Sequence, residues 1–115
     1  MKSKTSGLED IFHALGDSSR LSMVERLSQG PISVKELAEP LSMALPSVLK
    51  HLKVLEDCGI VKSEKSGRVR TYQLDIQQLS GIDSWISERK DSWNRSFDRL
   101  ANFLIESSDE NSDGE

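Results

Sequence analysis

The sequence predicts a mainly α fold with one small β-hairpin, and three observations carry that prediction. Apolar residues recur at helical spacing in four segments before Gly59 and in one long segment after Asp75. Helix start and stop signals, among them Asp17, Ser33, Pro40 and Gly59, punctuate those segments. Only "IVKSEKSGRVRTYQL" combines strand formers with a central Ser-Gly pair, so the hairpin belongs there. At 115 residues the chain suffices for one domain with a modest core. That domain is placed at 8–105, between an unstructured N-terminus at 1–7 and an unstructured acidic tail at 106–115. The tail, "ESSDENSDGE", carries five carboxylate side chains and neither Lys nor Arg, a composition with nothing apolar to bury.

In the first helix Leu8, Ile11, Phe12 and Leu15 share one face, and Gly16 closes it. Asp17 is an N-cap for "SSRLSMVERLSQ", whose Leu21, Val24 and Leu27 should turn inward, and Gly30-Pro31 breaks that helix. "SVKE" at 33–36 has the form of a capping box, in which the Ser33 hydroxyl and the Glu36 carboxylate each take an orphan backbone N–H. The third helix is short because Pro40 lacks an N–H and should push Glu39 out of α geometry. The fourth helix tolerates Pro46 in its first turn and stops at Gly59. On a helical wheel Val48, Leu52 and Leu55 form its buried side, with Lys50 nearly opposite. Leu45 lies at the edge of that stripe and should add to the core, whereas Leu49 should stay exposed. Two short strands meet around Ser66-Gly67, with Val69, Tyr72 and Leu74 among the strand formers. In the last helix Ile82, Ile86, Trp93, Phe97, Leu100 and Leu104 approximate a heptad that Arg89 interrupts.

The formal charge of −4 argues only superficially against an anionic partner, because it is unevenly spread. Without the last ten residues the chain carries 15 basic and 14 acidic side chains. Between positions 44 and 74 six basic residues face three acidic ones, and a local positive field matters more for phosphate binding than the total. No apolar run approaches the roughly 18 residues of a membrane span. The N-terminal stretch lacks an apolar signal segment, so the expectation is a cytoplasmic protein without a membrane partner. Cys58, the single cysteine, excludes an intramolecular disulfide framework. No nucleophile–base set and no Gly-rich phosphate loop stand in the sequence, which speaks against an enzyme and against a cofactor.

Two short helices with a break of a few residues, the second exposing small polar and basic groups, match a helix-turn-helix. Double-stranded DNA is then the expected partner. The candidate contacts are Leu45, Pro46, Ser47, Leu49, Lys50 and His51 on the second of these helices, with Lys65, Arg68 and Arg70 on the hairpin. Ser47 and Lys50 would reach base edges or phosphates near the helix start, and Leu49 would touch thymine methyl groups. His51 would donate a hydrogen bond to phosphate or backbone, and the hairpin cations would hold the backbone or the minor groove. The competing reading is a module that uses the same face for protein assembly, its basic hairpin merely solvated.

"ALGDSSRLSMVERL", "ISVKELAEPLSMALPSVLKHLKVLEDCGIV" and "KSGRVRTYQLD", in that order, resemble the ArsR/SmtB family of winged-helix repressors across about 8–104. The second stretch, followed by a Trp-containing terminal helix, is similar to the branch that does not sense metals. The resemblance implies a homodimeric transcriptional repressor binding a two-fold-related operator, with a helix-turn-helix and a wing on each protomer. It also implies a dimer built from the first and last helices. The candidate interface is Leu8, Ile11 and Phe12 with Ile82, Trp85, Ile86, Arg89, Trp93, Phe97, Leu100 and Leu104, and Arg89 would pair with an acidic residue across the seam. Two positions depart from the family habit: its capping Ser is Ala44 here, and the polar residue after Val48 is Leu49. The family's arsenic/cadmium motif places two thiolates around a Val in the third helix, where this chain has Ser33 and Lys35. A neutral Ser is a poor soft ligand and a Lys ammonium repels a cation, and no His follows His51, so no metal site is expected. His13, alone in its helix, is expected to be a partly buried packing residue. Cys58 is expected to be a small core hydrophobe, with redox sensing as the alternative role.

Overall fold

The computed structural model describes the backbone of residues 4–113 and the side chains of residues 7–108. Among them run α1 (Lys4–Leu15), α2 (Ser18–Leu27), β1 (Ile32–Ser33), α3 (Val34–Ala38), α4 (Leu45–Asp57), β2 (Val61–Ser66), β3 (Val69–Leu74) and α5 (Ile76–Asp113). The mainly helical fold with its hairpin matches the sequence expectation, and β1 is an addition to it. The ends expected to lack structure are helical where described, at 4–7 and 106–113, and otherwise lie outside the described residues. The chain divides into two units, one ending at Leu79 and the other starting at Ser80.

In the first unit the caps are local and legible. Asp17 Oδ2 accepts the Arg20 N–H at 3.1 Å and opens α2. Ser33 Oγ accepts the Glu36 N–H at 3.3 Å and opens α3. The reciprocal arm of the expected capping box differs: the Glu36 carboxylate accepts from the Ser33 hydroxyl, also at 3.3 Å. The Ser33 backbone belongs to β1, opposite Thr71 of β3, which takes it out of the box. Glu39 also departs from expectation, since it keeps right-handed helical angles (φ −50, ψ −51) and its N–H reaches Lys35 O at 3.1 Å. The helix ends because Pro40 has no N–H with which to continue it, not because Glu39 leaves α geometry. Gly59 follows the end of α4 at φ +90, a conformation that side chains with a Cβ rarely adopt.

The sheet is antiparallel throughout, in the order β1-β3-β2. Pairing of β2 with β3 runs from Val61↔Leu74 to Ser66↔Val69, which places Ser66 in the strand and leaves Gly67 and Arg68 as the loop. Gly67 takes φ +63 while Arg68 stays at negative φ, the pattern of a two-residue hairpin with Gly first.

One core runs through this unit: Ile11 and Ala14 from α1, Met23 and Leu27 from α2, Leu37 from α3, Val48, Leu52 and Leu55 from α4, then Ile60, Val61 and Tyr72, with β1 only half-buried. Helices α1, α2 and α4 pack on one another, α3 packs on α4 and the sheet, and α4 rests on β2. Burying each large apolar side chain contributes about 1.5–3 kcal/mol against the entropy of folding. Three expected core positions are corrected. Leu21 is exposed, because the inward stripe of α2 is Arg20, Met23, Val24 and Leu27, spaced i, i+3, i+4, i+7. Leu45 is exposed, because side chains lean toward a helix's N-terminus and Leu45 is the first helical residue, so it projects past the end of α4. His13 is exposed, because Ile11 and Ala14 carry the buried face of α1 and His13 lies well off it.

The second unit is the body of α5. The helix starts where Asp75 Oδ1 accepts the Gln77 N–H at 3.1 Å. From Ser80 onward its apolar row is largely uncovered: Trp85, Ile86, Trp93, Phe97, Leu100, Phe103, Leu104 and Ile105 are all exposed, and Ile82 is half-buried. The Arg89 guanidinium sits over the Trp85 ring, 5.1 Å from its centroid, and 3.5 Å from Glu88 of the same helix.

Candidate nucleic-acid interface

Helix α4 divides sharply into two faces. Val48, Leu52 and Leu55 have no exposed surface, while Leu45, Pro46, Ser47, Leu49 and Lys50 are all exposed. The buried residues recur at i, i+4 and i+7 and seat the helix on α1, α2, α3 and β2, so the first two turns present their other side outward. That outward side offers a hydroxyl, an ammonium and an apolar Leu49 42 % exposed. Such a surface can donate to phosphates or base edges and contact a methyl group. The Ala44 methyl cannot cap α4, and its backbone carbonyl takes the Ser47 and Val48 N–H groups at 3.0 and 3.2 Å.

The hairpin supplies the cations. Lys65, Arg68 and Arg70 are exposed, Arg68 being the second residue of the turn. Lys65 and Arg70 are directly opposed across β2 and β3. Like charges so placed destabilise a hairpin, unless an anion lies between them. Arg70 is also oriented from below, because its Nη1 donates to Ser63 Oγ at 2.8 Å and that hydroxyl donates to Glu56 Oε2 of α4 at 3.1 Å. This Arg–Ser–Glu chain ties the wing to the end of α4 and was invisible at the level of sequence, since it joins three elements.

His51 is half-buried, and its surroundings went unread in the sequence. Its Nδ1 lies 3.2 Å from Arg20 Nη1 and 3.8 Å from Asp17 Oδ2. The two neighbours ask opposite things of one nitrogen. A guanidinium only donates, so Nδ1 accepts from Arg20, and the Asp17 oxygen lies beyond hydrogen-bond reach. Arg20 is held in turn by the last carbonyls of α1, with Nε on Ala14 O at 2.6 Å and Nη2 on His13 O at 3.5 Å. The Arg20 backbone N–H, and then its guanidinium charge, hold the Asp17 carboxyl below its ordinary range. The available signal was an arginine at the first inward position of the α2 stripe.

Cys58 caps the C-terminus of α4, half-buried, and its Sγ donates to Leu55 O at 3.3 Å. Burial pushes its thiol pKa up, and the charges of Asp10 and Asp57 add to that, so little thiolate forms. Ser33 is engaged as the N-cap of α3 and Lys35 is exposed, where thiolate ligands would have to stand. Among the described residues no three His, Cys, Asp or Glu side chains are grouped to hold a metal ion, and no helix is long and apolar enough to cross a membrane. The interface candidates of the first helix separate: Ile11 is core, Leu8 half-buried and Phe12 exposed.

The fold is shared with known transcriptional regulators. The sequence pattern of the family described as "Bacterial regulatory protein, arsR family" matches residues 17–63, which run from the α2 cap into β2. The HTH-type transcriptional regulator Rv2034 of Mycobacterium tuberculosis is 42 % identical over 71 residues, 62 % of this chain and just under two thirds (66 %) of that protein. The crystal structure of an ArsR family transcriptional regulator superposes with a TM-score of 0.73 at 42 % identity, covering 76 % of this chain and 97 % of that one. An ArsR-like transcriptional regulator from Rhodococcus sp. RHA1 superposes with a TM-score of 0.74 at 27 % identity, covering 84 % and 91 %.

Proposed function

Because this chain belongs to the ArsR/SmtB family of winged helix-turn-helix transcriptional regulators, a family of DNA-binding proteins, we propose that it is a homodimeric repressor of a two-fold-related operator. Helix α4 enters the major groove and the β2–β3 wing holds the flanking backbone or minor groove. The observation that carries this reading is the division of α4. Its apolar residues Val48, Leu52 and Leu55 are used up inward, which leaves Ser47, Leu49 and Lys50 free for a partner. Ser47 and Lys50 read base edges or phosphates, and Leu49 meets thymine methyl groups. Lys65, Arg68 and Arg70 contribute sequence-independent affinity. The exposed row of α5, together with Leu8 and Phe12, forms the dimer seam, since Trp93, Phe97 and Leu100 are each more than half exposed along one helix and contiguous exposed apolar side chains mark an interaction surface. Metal ions play no part in release, because Ser33 and Lys35 offer no soft ligand pair.

The test is titration of genomically selected operator and of a scrambled duplex at several salt concentrations. Lys50→Ala should cost about 1–3 kcal/mol on the operator for each base it reads and alter sequence preference. If Lys50→Ala, Arg68→Ala and Arg70→Ala all bind as the parent does, the face is merely solvated and the protein-assembly reading stands instead.

A further inference from the structure

The Arg20–His51 hydrogen bond assigns a proton. Because Arg20 Nη1 has no lone pair to offer, the 3.2 Å approach makes His51 Nδ1 the acceptor, so the neutral ring carries its hydrogen on Nε2. Arg20 is not free to turn away, since the Ala14 and His13 carbonyls at the end of α1 hold the other arms of its guanidinium. Both carbonyls lie in the last turn of α1, where the helix dipole favours a cation, and the His13 carbonyl also accepts the Gly16 N–H at 3.1 Å. The His51 side chain remains 22 % exposed, and it stands one turn after Ser47 on the same side of α4.

We propose that Arg20 is a positioning residue for DNA binding, which fixes His51 in its Nε2–H tautomer so that the ring and the Ser47 hydroxyl donate together to one DNA phosphate. This rests on the DNA-binding reading above. The pair of hydrogen bonds is neutral and sequence-independent, and it sets the depth and register of α4 while Lys50 does the reading. It also explains why an arginine stands on the inward stripe of α2, where an apolar residue would pack the helix more simply.

Two measurements test it. Long-range ¹H–¹⁵N NMR of the free protein at neutral pH should show His51 protonated on Nε2 and not on Nδ1, and Arg20→Gln should give a mixture of tautomers. In duplex titrations His51→Gln, whose amide nitrogen mimics Nε2–H, should stay within about threefold of wild type. His51→Asn, whose amide sits at the Nδ1 position, should bind about tenfold more weakly for each phosphate hydrogen bond it fails to make, on operator and scrambled duplex alike. Wild-type protein that binds no duplex would overturn the DNA-binding reading and this proposal with it. Wild-type binding accompanied by an Nδ1–H tautomer, or by His51→Asn at wild-type affinity, would overturn this proposal alone.

Discussion

Leu49 and Leu52 stand three positions apart on α4 and have opposite surroundings, one 42 % exposed and the other fully enclosed. Leu52→Ala should therefore lower stability by about 2–5 kcal/mol, through lower transfer energy and the cavity left behind. Leu49→Ala should change stability by no more than about 0.5 kcal/mol. Denaturant unfolding of the pair checks both, and an equal loss would place Leu49 in the core. Cys58 yields a second expectation from its surroundings. With its thiol pushed above the ordinary 9.0 by burial, alkylation at pH 8 should run slower than for free cysteine, accelerating only as pH passes above that value. A fast reaction at pH 8 would instead favour the redox role. His13, expected to be partly buried, and Leu21 and Leu45, expected to face the core, are all exposed because of their positions on their helices.

The wing shows a conflict between stability and binding within one element. Lys65 and Arg70 face each other across the hairpin, an arrangement that weakens the isolated protein. Lys65→Glu should stabilise the fold by about 0.2–1 kcal/mol and at the same time weaken binding to every duplex. Thermal melts and salt titrations read the two effects separately. Arg68 and Arg70 should also differ. Arg68 belongs to the turn, and its removal should flatten the salt slope by about one for each phosphate it no longer neutralises. Arg70 is linked through Ser63 to Glu56, so Arg70→Ala should also loosen the wing on α4, and Ser63→Ala should reproduce part of its binding defect. The hairpin was legible because strand formers, Val69, Tyr72 and Leu74 among them, flank a Ser-Gly turn signal. Strand β1 was not, since two residues display no period, and its pairing partner lies some forty positions away at Tyr72 and Thr71.

At the scale of the whole molecule, the central question is what covers α5. The heptad row from Ile82 to Leu104 was readable from spacing alone, and its exposure in the single chain agrees with a role in assembly. Replacing Trp93 and Phe97 together with Asp should convert dimers to monomers in sedimentation, and a persistent dimer would place the interface elsewhere. Ile11 should not weaken assembly directly, being core, whereas Phe12→Asp should. A dimer sets two α4 helices roughly 34 Å apart, in successive major grooves on one face of the duplex, so half-sites separated by half a turn more should bind poorly.

What the sequence determined by itself was whatever depends on neighbours in the chain: helix periods, the caps at Asp17 and Ser33, the stop at Gly59, the hairpin, and the side of α4 turned inward. Local spacing and local backbone chemistry decide these, so the order of residues suffices. The tertiary structure alone decided the bond from Arg20 to His51, the chain from Arg70 through Ser63 to Glu56, the strand at Ile32, and the exposure of Leu45 and His13. Each of these except the two exposures joins groups distant in sequence, and the exposures follow from which face of each helix the core covers. No periodicity encodes them, because distance and direction between elements are set only when the core closes.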